Sequence, residues 1–262
     1  MPTPLDMLAS RYDAETHQIA YTLRCGDQLI DLADKVGQRL KLRFTGTITC
    51  VSCAKSLKKA YGQGFCYPCF RDSSLASPCI IFPEKCEGHL GRGRDPEWEK
   101  QHHVQPHTVY LSDTGAIKVG ITRDTQRPKR WIDQGATSAL EIASVPYRAM
   151  AGEIEVRLKA FFTDKTQWRT MLTYPGHAHD LVAAAESVTA ELGDMATVNS
   201  RVWSFVFPIL QLPEKLVSLS LEKTPVIEDR LIGIKGQYLL FESVGVMNVR
   251  NHMGYDVEVA FL

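Results

Sequence analysis

Six of the seven cysteines lie between residues 50 and 86, and four of them have the spacing of a zinc ribbon. Cys50 and Cys53 form one C-x-x-C turn, and Cys66 and Cys69 form a second turn after twelve intervening residues. Each turn can direct two sulfur atoms at one point, so the pair predicts a tetrahedral zinc site. Because protein ligands would fill all four positions, we expect this zinc to be structural. The alternative is a set of buried or redox-active thiols.

A second group of ligand types follows with a looser spacing. It contains two cysteines and four histidines: Cys79, Cys86, His89, His102, His103 and His107. Two cysteines and two histidines are enough for a second structural zinc. We assign that site to Cys79, Cys86, His89 and His103, with the other two histidines competing for the fourth position. The alternative is a surface loop with unligated histidines.

A third set of residues carries groups suited to phosphate chemistry. The stretch contains a phenol in Val109-Tyr110-Leu111, an ammonium in Lys118-Val119-Gly120, and a guanidinium in Lys129-Arg130-Trp131. Arg123 adds a second guanidinium, and Glu155 adds a carboxylate. The turn residues 113–115 predict that the first two segments form a hairpin.

These motifs resemble those of the GIY-YIG nuclease superfamily over residues 108 to about 172, roughly a quarter of the chain. The first two segments match the two motifs that name the superfamily, and Lys129-Arg130-Trp131 resembles its arginine helix. Together with the preceding zinc ribbon, the chain looks like an uncharacterised bacterial family related to GIY-YIG proteins. One departure is that Lys118 replaces the tyrosine of the second motif.

The resemblance implies roles for the residues of the third set. Glu155 would hold Mg²⁺ or Mn²⁺, and Tyr110 would orient or deprotonate the attacking water. Lys118 would lower the pKa of Tyr110 or hold the nucleophile. Arg130, with Arg123, would neutralise charge that grows on the phosphate. The expected activity is metal-dependent cleavage of phosphodiester bonds, with the general base left open by the change at Lys118.

Two glutamates on the predicted helix compete for the metal. At 100° per residue, Glu155 shares the apolar face with Ala151 and Leu158, whereas Glu153 can form an exposed pair with Arg157. We therefore expect Glu155 to face the hairpin. Downstream, Trp168 and Arg169 can line the substrate edge, although Trp168 also suits a packing role.

The elements that must position these residues indicate an α+β fold. We expect a small GIY-YIG-like three-stranded sheet with flanking helices, a loop-rich zinc-bound module, and a terminal β-barrel-like domain built from alternating strands. The predicted segments are 1–49 (N-terminal strands that pair with the C-terminal domain), 50–107 (zinc module), 108–175 (GIY-YIG-like domain), 176–200 (helical connector) and 201–262 (C-terminal β-domain).

Composition excludes several classes of protein. The 262 residues carry 30 basic and 30 acidic side chains, so the chain is not a binder that works by bulk charge. Apolar runs are too short for a membrane span, the N-terminus lacks a signal core, and the odd cysteine count argues against a disulfide framework. We expect a soluble cytoplasmic protein. The chain also lacks a nucleophile elbow, a Walker loop and a dinucleotide-binding glycine motif.

Local charge nevertheless favours a nucleic-acid partner, and we expect DNA. Between residues 35 and 71 there are eight basic residues and no acidic one, interleaved with Tyr61, Phe65, Tyr67 and Phe70. Ammonium groups displace counterions from phosphates, and aromatic rings stack on bases. Two alternatives stay open: a zinc-containing nucleic-acid-binding protein without catalysis, and a protein-interaction module. These residues could also form a solvated basic face over an ordinary aromatic core, which would imply no binding of DNA or RNA.

Overall fold

A computed structural model of the chain describes residues 3–176, 178–196, 201–213 and 216–262. They fall into two compact units. The first joins Met1–Phe70 to Val206–Leu262, and the second is Arg71–Phe205. The predicted helical connector contains residues 177 and 197–200, which lie outside the described residues. No helix in the described ranges is long and apolar enough to cross a membrane.

Strands and short helices alternate along the chain. The strands are β1 (Ala9–Tyr12), β2 (Ile19–Cys25), β3 (Gln28–Asp31), β4 (Arg39–Thr49), β5 (Ser56–Leu57), β6 (His107–Asp113), β7 (Ile117–Arg123), β8 (Ser138–Val145), β9 (Trp203–Ser204), β10 (Ser218–Leu219), β11 (Val226–Lys235), β12 (Tyr238–Phe241), β13 (Val246–Asn248) and β14 (Tyr255–Phe261). The helices are α1 (Tyr67–Asp72), α2 (Pro96–His103), α3 (Lys129–Asp133), α4 (Arg148–Leu158), α5 (Trp168–Thr173), α6 (Leu181–Ser187) and α7 (Thr189–Leu192).

In the first unit, β4 is the strand around which the larger sheet forms. The sheet has the order β10-β13-β12-β11-β4-β14, with β5 paired to the end of β4. Strand β4 is antiparallel to both β11 and β14, which come from the other end of the chain. Its alternation places Leu40 and Leu42 in the core and leaves Arg39 and Arg43 exposed. The curled, half-barrel sheet and the mixed α+β architecture confirm the predicted fold class.

A smaller antiparallel sheet, β1-β2-β3, also belongs to the first unit. Strand β2 alternates strictly, and Tyr21, Leu23 and Cys25 are buried along one face. Burial raises the pKa of the Cys25 thiol to about 11, so this cysteine behaves as an apolar core residue.

The second unit is built on a sheet of order β7-β6-β8-β9. Three of these strands were predicted. The fourth, β9, is only two residues long, too short to show an alternating pattern, and it brings Trp203 into this sheet although Trp203 was predicted in the C-terminal domain. Buried apolar residues from β6, β7, β8, α4 and α6 form one core on one face of the sheet.

The opposite face of this sheet carries α3. The Trp131 ring lies 5.7 Å from the Tyr110 ring and 5.5 Å from the Trp203 ring, measured between centroids. Residues on β6 therefore alternate between two environments. Val109 and Leu111 belong to the core under α4, and Tyr110 faces α3. The outer edge of β7 pairs with the segment after α4, since Lys118 forms a parallel bridge with Thr163 and the Val119 N–H donates to the Thr163 carbonyl at 2.9 Å.

Candidate metal centres and a buried polar cluster

The four cysteines of the predicted ribbon come together in the first unit. One ligand atom from each of Cys50, Cys53, Cys66 and Cys69 lies within 4.8 Å of every other. Backbone amides surround the sulfurs, as in the 3.2 Å approach of the Cys66 N–H to Cys50 Sγ. Burial opposes ionisation of Cys50, but amide donors from Cys66, Cys53 and Ser52 outweigh it and lower the pKa of Cys50 to about 6. The cluster can hold zinc with four thiolates.

A second cluster lies in the second unit, with one change from the predicted ligands. Cys79, Cys86 and His103 are joined by Glu99, and all four side chains are buried. His103 Nδ1 lies 3.4 Å from Cys86 Sγ and 3.8 Å from Cys79 Sγ, and it contacts the Glu99 carboxylate directly. The assignment of His89 is corrected, because this histidine is not in the cluster and its ring stacks on another side chain.

Local sequence explains why Glu99 takes the fourth position. Helix α2 begins at Pro96 after Asp95, whose carboxylate accepts the Trp98 N–H at 3.1 Å. Glu99 and His103 are four residues apart on this helix and therefore share one face. Glu99 Oε1 is buried and has no hydrogen-bond partner within the described ranges. A buried carboxylate oxygen beside two thiols and an imidazole fits a metal ligand, so this cluster can also hold zinc.

The other two histidines of this region are occupied elsewhere. The His102 ring stacks on Trp98 at 4.1 Å, and its Nδ1 lies 2.8 Å from the Trp98 carbonyl. His107 is fully buried in β6, and burial lowers its pKa to about 4. Neither belongs to the ligand group.

The basic stretch between residues 35 and 71 divides into two halves. On β4, Arg39 and Lys41 share Glu228, and Arg43 pairs with Glu258, so each basic side chain of the strand half has a carboxylate partner. In the ribbon, Lys55, Lys58 and Lys59 are exposed, and no salt bridge to any of them occurs among the described residues. The exposed rings beside these lysines are Tyr61, Tyr67 and Phe70, while Phe65 is buried.

Tyr110, from the third predicted set, is fully buried beside the edge strand. Its hydroxyl donates to Gln134 Oε1 at 2.9 Å, and the positive charge of Arg130 acts on the phenol. Gly120 lies opposite on β7, and a Cβ added there would come 2.6 Å from the Tyr110 hydroxyl. Only glycine therefore lets the phenol extend across β7. Burial raises the pKa of Tyr110, against the opposing influence of Arg130.

Lys118 and Glu155 carry opposite charges that influence each other in the same region. Lys118 is only 6% exposed, and burial, with the nearby Arg130, lowers its pKa to about 8. Burial raises the pKa of Glu155, while Lys159, Lys118 and Arg148 oppose that rise. We name Tyr110, Lys118, Arg130, Arg148 and Glu155 the polar cluster.

The polar cluster differs from the predicted set in one arginine. Arg123 lies three residues beyond Gly120 on β7, about 10 Å along the strand, where it is the cross-strand partner of His107. Arg148, at the start of α4, instead contributes to the electrostatics around Glu155. Arg148 was not predicted because no local motif marks it, and it comes near Glu155 only in the folded chain. Glu153 is exposed, as expected of the competing glutamate.

The arrangement can bind an anion. Neither Lys118 nor Arg130 forms a salt bridge with any carboxylate in the part of the chain that the structure describes. Among the same residues, the Glu155 carboxylate also lacks a salt bridge and a hydrogen bond, whereas its neighbour Asp164 pairs with Lys159 at 3.1 Å. A phosphate oxygen would supply the charge partner that these cations lack.

Comparison with known proteins gives a family without an assigned activity. A family model described as a protein of unknown function (DUF2797) matches residues 37–257. Searches of curated proteins and of solved structures found no match. The assignment to the GIY-YIG superfamily is wrong on this finding, since the matching model is a different one and no GIY-YIG model matches. Because the match spans most of the sequence, the chain belongs to the DUF2797 family.

Proposed function

We propose that the polar cluster binds a phosphate of DNA and that the protein cleaves phosphodiester bonds there with the help of a divalent cation. The observation that carries the proposal is the convergence of Lys118 and Arg130 on Tyr110 and Glu155 without a fixed carboxylate partner for either cation. The proposal belongs to the second unit alone and does not depend on membership of any nuclease superfamily.

Burial of Lys118 supports an anionic substrate. Removing an ammonium group from water is unfavourable unless an opposite charge approaches it, and a bound phosphate provides that charge. The planar guanidinium of Arg130 can donate two parallel hydrogen bonds to phosphate oxygens. Together these cations would neutralise the charge that increases on the phosphate during cleavage.

Of the two roles expected for Tyr110, orienting the attacking water or deprotonating it, we propose only the first. Because burial raises the pKa of Tyr110, the phenol is protonated at neutral pH and acts as a hydrogen-bond donor and acceptor. It therefore orients the attacking water and does not remove its proton. Gln134, which accepts the phenol hydrogen bond, holds the ring in place.

Glu155 is the residue that would hold Mg²⁺ or Mn²⁺. Protein Mg²⁺ sites often use one carboxylate together with substrate phosphates, and Glu155 is a carboxylate without a hydrogen bond among the described residues. Three cations influence Glu155, so we expect the metal to bind jointly with the phosphate rather than alone. When bound, such an ion supplies Lewis-acid stabilisation of phosphate oxygens.

Nicking of supercoiled plasmid DNA tests this proposal. With Mn²⁺ present, wild-type protein should convert the plasmid to the open circle, and Glu155→Gln should lower the rate at least about 100-fold. Glu153→Gln is the matched control, because it makes the same change two residues away at an exposed position. Equal rates for the Glu155→Gln variant and wild type would contradict the proposal, as would inactivity of zinc-loaded wild-type protein on DNA.

A second candidate is DNA binding without cleavage, carried by the ribbon of the first unit. Three exposed lysines and three exposed rings beside the four-cysteine cluster favour it. If Lys58 and Lys59 contact phosphates, substituting both by glutamine should reduce the slope of log K against log salt by about 1.8 on duplex DNA. Lys41→Gln is the control, because that lysine already pairs with Glu228 on β4. Unchanged slopes in the ribbon variant would exclude this role.

A further inference from the structure

The loop of residues 77–90, which carries Cys79 and Cys86, packs on the first turns of helix α4. We call it the metal loop. Its two cysteines form a small apolar cluster with Ala149, and His89 stacks on Tyr147 at 4.5 Å, immediately before the helix. The start of the helix and the two cysteines thus belong to one packed region.

Gly152 marks the closest approach of the metal loop to α4. A Cβ added at Gly152 would lie 2.5 Å from the carbonyl carbon of Pro83 and 2.9 Å from Glu84 Cα. Such separations are too short for any side chain, so the loop backbone rests directly on the helix backbone. The position of the loop therefore determines where α4 can lie.

Arg148 forms the polar part of the same contact. Its Nε donates to the Cys79 carbonyl at 3.0 Å, and its Nη2 donates to the Ile80 carbonyl at 3.2 Å. Burial lowers the pKa of Arg148, while the charges of Cys79, Cys86 and Glu155 oppose that shift. The guanidinium therefore responds both to the ligand thiols and to the carboxylate of the polar cluster.

A metal ion at this site would join two segments of the chain. Cys79 and Cys86 come from the metal loop, whereas Glu99 and His103 come from α2. Without the metal, the loop loses this attachment to α2, and the two carbonyls that Arg148 bonds lose their fixed position.

We infer that zinc at Cys79, Cys86, Glu99 and His103 orders helix α4 through the metal loop and Arg148, and thereby sets the position of Glu155. The site thus acts as a metal-dependent switch for the polar cluster. The consequence for phosphate rests on the proposed function, whereas the ordering of α4 does not.

Hydrogen exchange on the full chain, measured by mass spectrometry, tests the inference. In Cys86→Ser, which loses this zinc, exchange in peptides covering residues 148–158 should rise at least about tenfold. Cys53→Ser, which disrupts the cluster of the other unit, should leave those peptides unchanged. Unchanged exchange in Cys86→Ser after confirmed zinc loss would overturn the inference.

A second variant covers the case in which Cys86→Ser unfolds the whole unit. Arg148→Gln keeps all four ligands, so its zinc content should equal that of wild type. Exchange should still rise in residues 148–158 while β6 and β8 keep their protection. Wild-type exchange in α4 of the zinc-loaded Arg148→Gln protein would refute the coupling. Failure of the proposed function looks different, since DNA nicking would be absent while the exchange pattern persists.

Discussion

The two cysteine clusters, one in each unit, differ in how the chain builds them. Cys50, Cys53, Cys66 and Cys69 come from two short turns, and Cys53 is exposed to solvent. The second cluster takes its ligands from the metal loop and from α2, and all of its ligands are buried. The first cluster is therefore partly exposed, with Cys50 and Cys66 buried, while the second is packed within its unit.

The difference in ligand burial predicts how strongly each metal stabilises its own unit. Loss of metal from the partly exposed first cluster lets water reach Cys53 and Cys69, so we expect a smaller cost to the first unit. Loss from the buried cluster leaves a carboxylate oxygen, Glu99 Oε1, without a partner within the described ranges. An uncompensated buried charge is strongly destabilising, so the second unit should depend more on its metal.

The largest expected effect is therefore on substitution of a buried ligand. Glu99→Ala should lower the free energy of unfolding of the second unit by about 3–5 kcal/mol, because it breaks a buried charged set. All four tryptophans, at 98, 131, 168 and 203, belong to this unit, so tryptophan fluorescence during urea unfolding reports on it alone.

The matched substitution in the exposed cluster is Cys53→Ser. It should leave the tryptophan transition unchanged and cost the first unit only about 1 kcal/mol, measured by hydrogen exchange of the β4 peptides. If Cys53→Ser shifted the tryptophan transition as far as Glu99→Ala does, the distinction between the two clusters would be lost.

A smaller effect is expected where the metal loop meets α4. Gly152→Ala should lower the free energy of unfolding of the second unit by about 1–3 kcal/mol, because the new methyl group meets loop backbone. Gly88→Ala is the control, since a Cβ there would meet only side-chain atoms at 3.4 Å or more. Equal tryptophan transitions for the two variants would show that α4 does not rest on the loop.

The last effect concerns acid, and it tests whether the first unit has a weakness unrelated to zinc. Burial lowers the pKa of His252 below its ordinary value of 6.5, so the unfolded chain binds this proton more tightly than the folded one. Stability is therefore full above about pH 6.5 and falls as the pH decreases, by at most about 1.4 kcal/mol per pH unit.

His252→Gln should flatten this dependence between pH 7 and pH 5.5, while glutamine can still accept the hydrogen bond that the Leu221 N–H donates at 3.2 Å. The measurement is hydrogen exchange of peptides from β12 and β14 at each pH. An unchanged slope in the variant would assign the acid sensitivity to release of zinc.

The same contrast explains how much of each site the sequence could predict. The C-x-x-C turns are local, so their spacing alone identified the ribbon. For the second cluster, the cysteines and His103 were visible, but His89 was preferred as the next histidine along the chain. The spacing of Glu99 and His103 on one helical face was the signal available for the fourth ligand.

Contacts between distant segments account for the remaining differences. The basic residues of β4 looked free because Glu228 and Glu258 are far away in the sequence and approach only through sheet pairing. Arg123 was selected because it follows the hairpin directly, and Arg148 was not a candidate because no local motif marks it. The hairpin that pairs Tyr110 with Gly120 was predicted, but the passage of the phenol across the glycine depends on side-chain geometry.

The fold itself was easier to predict than its details. Alternation in β2, β4 and β14 indicated sheets, and the apolar face of α4 indicated a helix on a sheet. Strand β9 has only two residues, too few to show the alternating pattern of a strand, and so it was not predicted.

The most direct test of the central claim is a crystal of the zinc-loaded protein soaked with Mn²⁺ and a short DNA oligonucleotide. We expect an anomalous manganese peak within about 2.0–2.3 Å of the Glu155 carboxylate, next to a phosphate contacted by Lys118 and Arg130. A soaked crystal with bound DNA but no manganese at Glu155, or with its phosphates away from Lys118 and Arg130, would contradict the account.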